Sequence, residues 1–186
     1  LQRKYGFWTA KATTAAGSRG HIQAAAGLQA GQGPLSYSLG VQHLRERGFS
    51  ATNPKALFGN YNSDRDPFEQ DSLNASGRYQ IATDWSVDAG LSYADGISAF
   101  DDGPNRDSRL RLRNVTTHAG VKGRPMSKWQ TELRFSEGRD TSNTILANSP
   151  GSVQTRQSQW TWQNQIDTPV GLALAGLEQR VQEVGG

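Results

Sequence analysis

From Trp85 to Tyr93 the chain alternates strictly. Trp85, Val87, Ala89, Leu91 and Tyr93 hold the odd positions; Ser86, Asp88, Gly90 and Ser92 hold the even ones. A period of two puts successive side chains on opposite faces of a β-strand, whereas a helical stripe needs a period near 3.6. The pattern returns at Leu73-Asn-Ala75-Ser-Gly77-Arg-Tyr79-Gln-Ile81 and at Trp129-Gln-Thr131-Glu-Leu133-Arg-Phe135. It returns with one polar slip at Trp160-Thr-Trp162-Gln-Asn164-Gln-Ile166, and more weakly over 22–30, 35–43, 115–121 and 173–181. Residues 5–14 are too mixed to phase. Glycine interrupts most of these segments, and their Thr, Val and aromatic content favours strand over helix. The expectation is an all-β chain of about nine strands, each roughly 9 to 13 residues long. That is long for a soluble sheet, where about 5 or 6 is usual, and suits the roughly 9 to 11 residues a tilted strand needs to cross a bilayer.

The connections alternate in length. Short ones fall at 31–34, 83–84, 124–127 and 168–169; long ones fall at 49–72, 95–108 and 138–152. Short-long alternation is the habit of outer-membrane barrels, with tight periplasmic turns and long extracellular loops. By parity the 16–20 connection also lies outside. A soluble β-sandwich would share the period-two strands. Two features favour the barrel. The polar face is rich in Arg, Gln, Glu and Asp, as a wet lumen would be. The apolar face sets aromatics near strand ends (Trp85, Tyr93, Trp129, Phe135, Trp160), where interfacial girdles sit.

Composition removes other classes. The chain has 186 residues and no cysteine, so disulfides and thiolate zinc sites are excluded. Twenty basic residues against 17 acidic ones form no basic run, so no nucleic-acid footprint is expected. The longest apolar stretch is about five residues, Ala24 to Leu28, against roughly 20 for a membrane-spanning helix. His21, His43 and His118 are scattered over different segments with no zinc-like spacing. No Gly-x-Ser-x-Gly elbow occurs, so no enzymatic activity is expected. The chain opens at Leu1 without a signal-peptide pattern and stops just after a strand-like segment, which suits a piece of a longer precursor.

The sharpest chemistry is acidic. Asp64, Asp66, Glu69 and Asp71 lie in one long connection; Asp101, Asp102 and Asp107 lie in the next. Calcium takes roughly six to eight oxygens, often carboxylates on loops, and two loops on one rim could converge to supply them. The alternative is a solvated pair of loops, with Arg65 and Arg106 as neighbours. Arg78, Gln130, Glu132, Arg134, Gln163 and Gln165 share the polar face, either as contacts for a plug or as an ordinary wet lumen.

The long connections carry a resemblance. Asn53-Pro-Lys-Ala-Leu-Phe-Gly-Asn-Tyr-Asn-Ser-Asp64-Arg-Asp66-Pro-Phe with the following Ser72-Leu-Asn-Ala-Ser-Gly-Arg-Tyr resembles an early barrel region of TonB-dependent outer-membrane receptors, most closely the vitamin B12 (cobalamin) transporter branch. Phe100-Asp101-Asp102-Gly-Pro-Asn-Arg-Asp107-Ser-Arg resembles that branch's next loop, and Trp160-Thr-Trp162-Gln-Asn164-Gln-Ile-Asp-Thr-Pro with Leu174-Ala-Gly-Leu-Glu-Gln-Arg a following strand pair. The likeness runs from about His21 onward. It implies an antiparallel up-and-down meander, about nine strands of a barrel of roughly 22, with 1–186 all barrel wall and the plug, TonB box and C-terminal strands lying elsewhere. It implies transport of a cobalamin-type corrinoid or, in a sister branch, a siderophore. The partners would be outer-membrane lipid and TonB, reached through the plug. It also implies calcium held by Asp64, Asp66, Asp101 and Asp107. A further acidic ligand is expected near the top of the second strand, where this chain has His21. A small structural or adhesive barrel is the other function compatible with the strand pattern.

Overall fold

The computed structural model describes residues 6–50, 52–55, 59–104, 106–145 and 147–186. Nine strands follow one another: β1 (Phe7–Ala16), β2 (Ile22–Gln32), β3 (Leu35–Glu46), β4 (Phe68–Ala82), β5 (Trp85–Phe100), β6 (Ser108–Met126), β7 (Trp129–Ile145), β8 (Gly151–Thr168) and β9 (Gly171–Gly185). They form one sheet in sequence order, and every pairing is antiparallel. The chain is therefore an all-β up-and-down meander. The sheet is not closed: β1 and β9 are edges. It has no second packed layer among the described residues, which removes the sandwich.

The register joins the alternating segments into continuous rows. Val87 stands opposite Tyr79 and Val121, Val121 opposite Leu133, and Leu133 opposite Trp162. One row further along, Ala89 stands opposite Gly77 and Ala119, Ala119 opposite Phe135, and Phe135 opposite Trp160. Directly paired residues share a face, so these rows make one apolar surface. The Phe135 and Trp160 rings meet on it, their centroids 4.9 Å apart. Asp88, opposite Arg78 and Gly120, lies on the other surface with Arg134, Glu132 and Gln163.

Among the described residues no hydrophobic side chain is buried. Trp8 and Leu174 are about three-quarters exposed. A single sheet has no interior, so its apolar face requires an external cover.

The strands run from 10 to 19 residues, longer than the alternation alone foretells. The excess lies at the loop ends. Residues 95–100 and 138–145 are strand rather than loop, and the β5–β6 and β7–β8 connections shrink to 101–107 and 146–150. Glu69 and Asp71 likewise sit within β4, not in the loop before it. At this end polar and apolar residues mix on both faces, so hydrophobic alternation fades while the backbone ladder continues. The tight turns stay close to the expected places, with Gly33 at φ 57° in the β2–β3 turn. Three rings cover a directly opposed glycine: Phe7 over Gly31, His118 over Gly90 and Trp85 over Gly123. A Cβ at each glycine would come within 2.2 to 2.5 Å of its ring, so glycine is what admits the ring there.

Candidate functional site

The loop after β3 returns across the end of β5. Its entry depends on Gly48, whose φ of 66° is in the left-handed region and whose added Cβ would lie 1.8 Å from the Asp66 carbonyl oxygen. Only glycine permits that approach. The Asp66 N–H donates to the Phe49 carbonyl at 3.4 Å, and Ala99 N–H donates to the Pro67 carbonyl at 2.9 Å. These bonds tie the chain on both sides of Asp66, the second to the end of β5, two residues before Asp101. The Ser50 hydroxyl lies 2.8 Å from the Asn62 carbonyl and 3.1 Å from Asp101 Oδ2. The Asn62 amide reaches the Arg106 carbonyl of the second loop at 3.4 Å.

The result is a cluster of three carboxylates. Asp64, Asp66 and Asp101 each present an oxygen within 4.8 Å of the other two. Like charges this close repel unless protons or a cation neutralise them. Asp101 Oδ1 is buried with no hydrogen-bond partner, and an unsatisfied buried oxygen costs about 1 to 3 kcal/mol or more. A cation would satisfy both conditions. The donors are all hard oxygens, which suit calcium or magnesium and not zinc or copper. Each of the three aspartates offers one oxygen to the cluster, so calcium, which takes roughly six to eight ligands, would need further oxygens from backbone, water or a bound ligand. The three carboxylates fit part of the shell of the calcium that the resemblance implies.

Asp107 goes elsewhere. Its carboxylate lies in the fork of Arg109, 3.2 Å from Nε and 2.6 Å from Nη2. Those hydrogen bonds hold it below the usual carboxylate range. His21 is engaged too, with Nδ1 2.8 Å from Glu46 Oε1. Glu69 and Asp71 stand apart on β4, where Asp71 meets His43 Nδ1 at 2.8 Å.

Asp102 does something the sequence does not announce. It reaches the third loop, accepting from the Asn148 backbone N–H and lying 3.4 Å from the Ser108 hydroxyl. Asn148 in turn donates from its amide to the Asp102 carbonyl at 2.9 Å. The Asn148 backbone bond is the main cause holding the Asp102 carboxyl below its ordinary range. Three connections thus interlock at one end of the sheet: 47–67 with 101–107 through Asp101 and Asn62, and 101–107 with 146–150 through Asp102.

Below this end, the polar face carries an ionic network. Arg134 Nη2 lies 3.3 Å from Asp88 and 3.1 Å from Glu132, His118 Nε2 is 3.5 Å from Asp88, and Lys122 is 3.5 Å from Glu132. Arg78, Ser36 and Ser38 line the same concavity as Asp88 and Arg134. No family model matches this chain, and a search of curated proteins finds no match either.

Proposed function

We propose that this chain is an arc of the barrel wall of a TonB-dependent outer-membrane receptor that imports a cobalamin-type corrinoid. The observation that carries the proposal is the three-aspartate cluster, set where two connections meet at one end of an open meander with one apolar and one polar face. In this reading the apolar face meets outer-membrane lipid. The polar face, with Arg134, Asp88 and Glu132, meets a plug and water. The two open edges join further strands of a larger barrel, since an open arc leaves unpaired backbone groups that lipid cannot satisfy. Calcium, when bound, supplies positive charge between Asp64, Asp66 and Asp101. The chain's part is to present those carboxylates and to hold the loops together through Ser50 and Asn62. A preformed rim binds a large ligand better than a mobile one, because less order remains to be imposed on binding. Release inward would draw on the inner membrane through TonB and the plug. The chain itself would catalyse nothing.

The test uses the full-length receptor purified from outer membranes. Cyanocobalamin binding is measured with calcium and with a calcium chelator, and cobalamin-dependent growth is scored in cells lacking the receptor. Tight binding that weakens with chelator supports the proposal. Binding of a ferric siderophore instead keeps the fold and overturns the ligand. Binding of neither, with a folded barrel, leaves a structural or adhesive role.

A further inference from the structure

On four adjacent strands, β5 to β8, the continuous apolar rows give way to charge, and the same device is built at that boundary twice. On β5 and β6, Asp95 takes two arginines: Arg111 through Nε and Nη2, both at 2.8 Å, and Arg113 through Nε at 3.2 Å and Nη2 at 3.0 Å. On β7 and β8, Glu137 takes Arg139 through Nη2 at 2.7 Å and Arg156 through Nη2 at 2.6 Å. In both triads the carboxylate lies beneath its arginines. Asp95 and Glu137 are 15% and 16% exposed, whereas all four arginine side chains are about half exposed.

Register places both triads on the apolar face, next to the end of its continuous apolar rows. Asp95 is two residues past Tyr93 on the same face, and Arg113 is two before Val115; Glu137 is two past Phe135. Arg139 stands opposite Val115 on one side and directly opposite Arg156 on the other. Like charges directly opposed across strands destabilise a sheet, and Glu137 beneath Arg139 and Arg156 offsets that repulsion. With Glu183 facing Arg156 from β9 and Asp71 facing Asp95 from β4, the four arginines meet four carboxylates, so what the band offers a ligand is its unused donors. Each guanidinium has five N–H donors. Asp95 engages Nε and one Nη group of Arg111 and of Arg113, and the second Nη group of each is left for another acceptor.

We infer that this arginine band docks the phosphate of an anionic lipid whose acyl chains cover the adjoining apolar rows. The inference rests on the membrane-facing role proposed above for the apolar face. Phosphate is the matching anion, because a guanidinium fork binds two of its oxygens at once. A lipid source fits better than free phosphate, because the band directly adjoins Tyr93, Val115 and Phe135. Headgroup and chains of one molecule would bind side by side.

The experiment uses the full-length receptor reconstituted with phosphatidylcholine alone or doped with phosphatidic acid. Co-purifying phosphatidic acid is quantified by mass spectrometry after extensive washing. Wild type should retain it, and the combined variant R111Q/R113Q/R139Q/R156Q should lose roughly tenfold or more of that retention, since each basic residue near an anionic surface contributes substantially. The opposite change, D95N/E137Q, should raise retention, and its stability should depend on the anionic lipid. Equal retention by wild type and the arginine variant overturns the inference. So does displacement of the lipid by inorganic phosphate at matched phosphate concentration, which would identify a simple anion site. Cobalamin binding measured on the same samples separates the two proposals. Its loss with arginine-dependent lipid retention intact overturns only the transport reading.

Discussion

Arg134 on β7 reaches Asp88 on β5 across an intervening strand, 3.3 Å from Nη2 to Oδ2, and it can do so because Gly120 of β6 stands directly between them. A Cβ built on Gly120 would lie 3.4 Å from Asp88 Oδ1 and 3.7 Å from Arg134 Cζ. One methyl group therefore fits in ordinary contact, and anything longer occupies the path of the ion pair.

Gly120→Ala should accordingly be close to neutral, whereas Gly120→Leu should part the two charges. With Arg134 about one-third exposed, the loss should be about 1 kcal/mol. Denaturant titration of the full-length protein checks this. Equal stability of the Ala and Leu variants would show that the pair contributes nothing.

The three-aspartate cluster gives a direct prediction. Asp66→Ala combined with Asp101→Ala should abolish calcium binding by the full-length protein, measured by isothermal titration with calcium alone. Asp107→Ala should leave calcium binding nearly unchanged, because Arg109 already claims that carboxylate.

Gly48 offers a test that touches no ligand. Gly48→Ala forces a side chain into a positive φ and against the Asp66 carbonyl, at a local cost of about 1 kcal/mol from the backbone conformation alone. The displaced strand of chain carries Asp66 with it. Calcium affinity should fall several-fold while the strand content, read by circular dichroism, stays the same.

Asp102 supplies a pH dependence with a defined sign. Its folded pKa lies below the ordinary 3.8. The stabilisation is therefore complete above that ordinary value and fades as pH falls through the lowered one. Acidification below about pH 4 should loosen the loop that carries Asn148. Amide hydrogen exchange at Asn148, corrected for the intrinsic pH effect, should show protection lost on the acid side in wild type. In Asp102→Ala it should be weak at every pH.

The strand order was open to view in the sequence because one face of the sheet is apolar and the other wet over the middle of each strand. Trp85 to Tyr93 shows this most clearly. Where charged, small and apolar residues mix on both faces, as from Asp95 to Ser98, alternation disappears although pairing persists, and the strand ends could not be placed. The aspartates were visible, and their division was written less plainly. Asp101 and Asp107 look equivalent in a loop. What separates them is an arginine two residues beyond Asp107, on the same side of an extended chain. That acid-x-Arg spacing recurs at Glu132 and Arg134, Glu137 and Arg139, and Glu178 and Arg180, and each pair is bonded. The spacing was a legible sign that Asp107 was already taken. Asp102 and Asn148, 46 residues apart, had no local signal at all.

Because every strand pairs only with the ones before and after it in the chain, this sheet can be laid down in the order in which it is synthesised. Each completed hairpin offers a ready template to the strand that follows, and no segment must wait for a distant partner. Topologies of this kind carry a small entropic penalty for closing loops. Their hazard lies at the growing edge, where a row of unsatisfied amides will accept any extended peptide that arrives first. For an arc like this one, orderly delivery of strands matters as much to the final architecture as the stability of the wall once built.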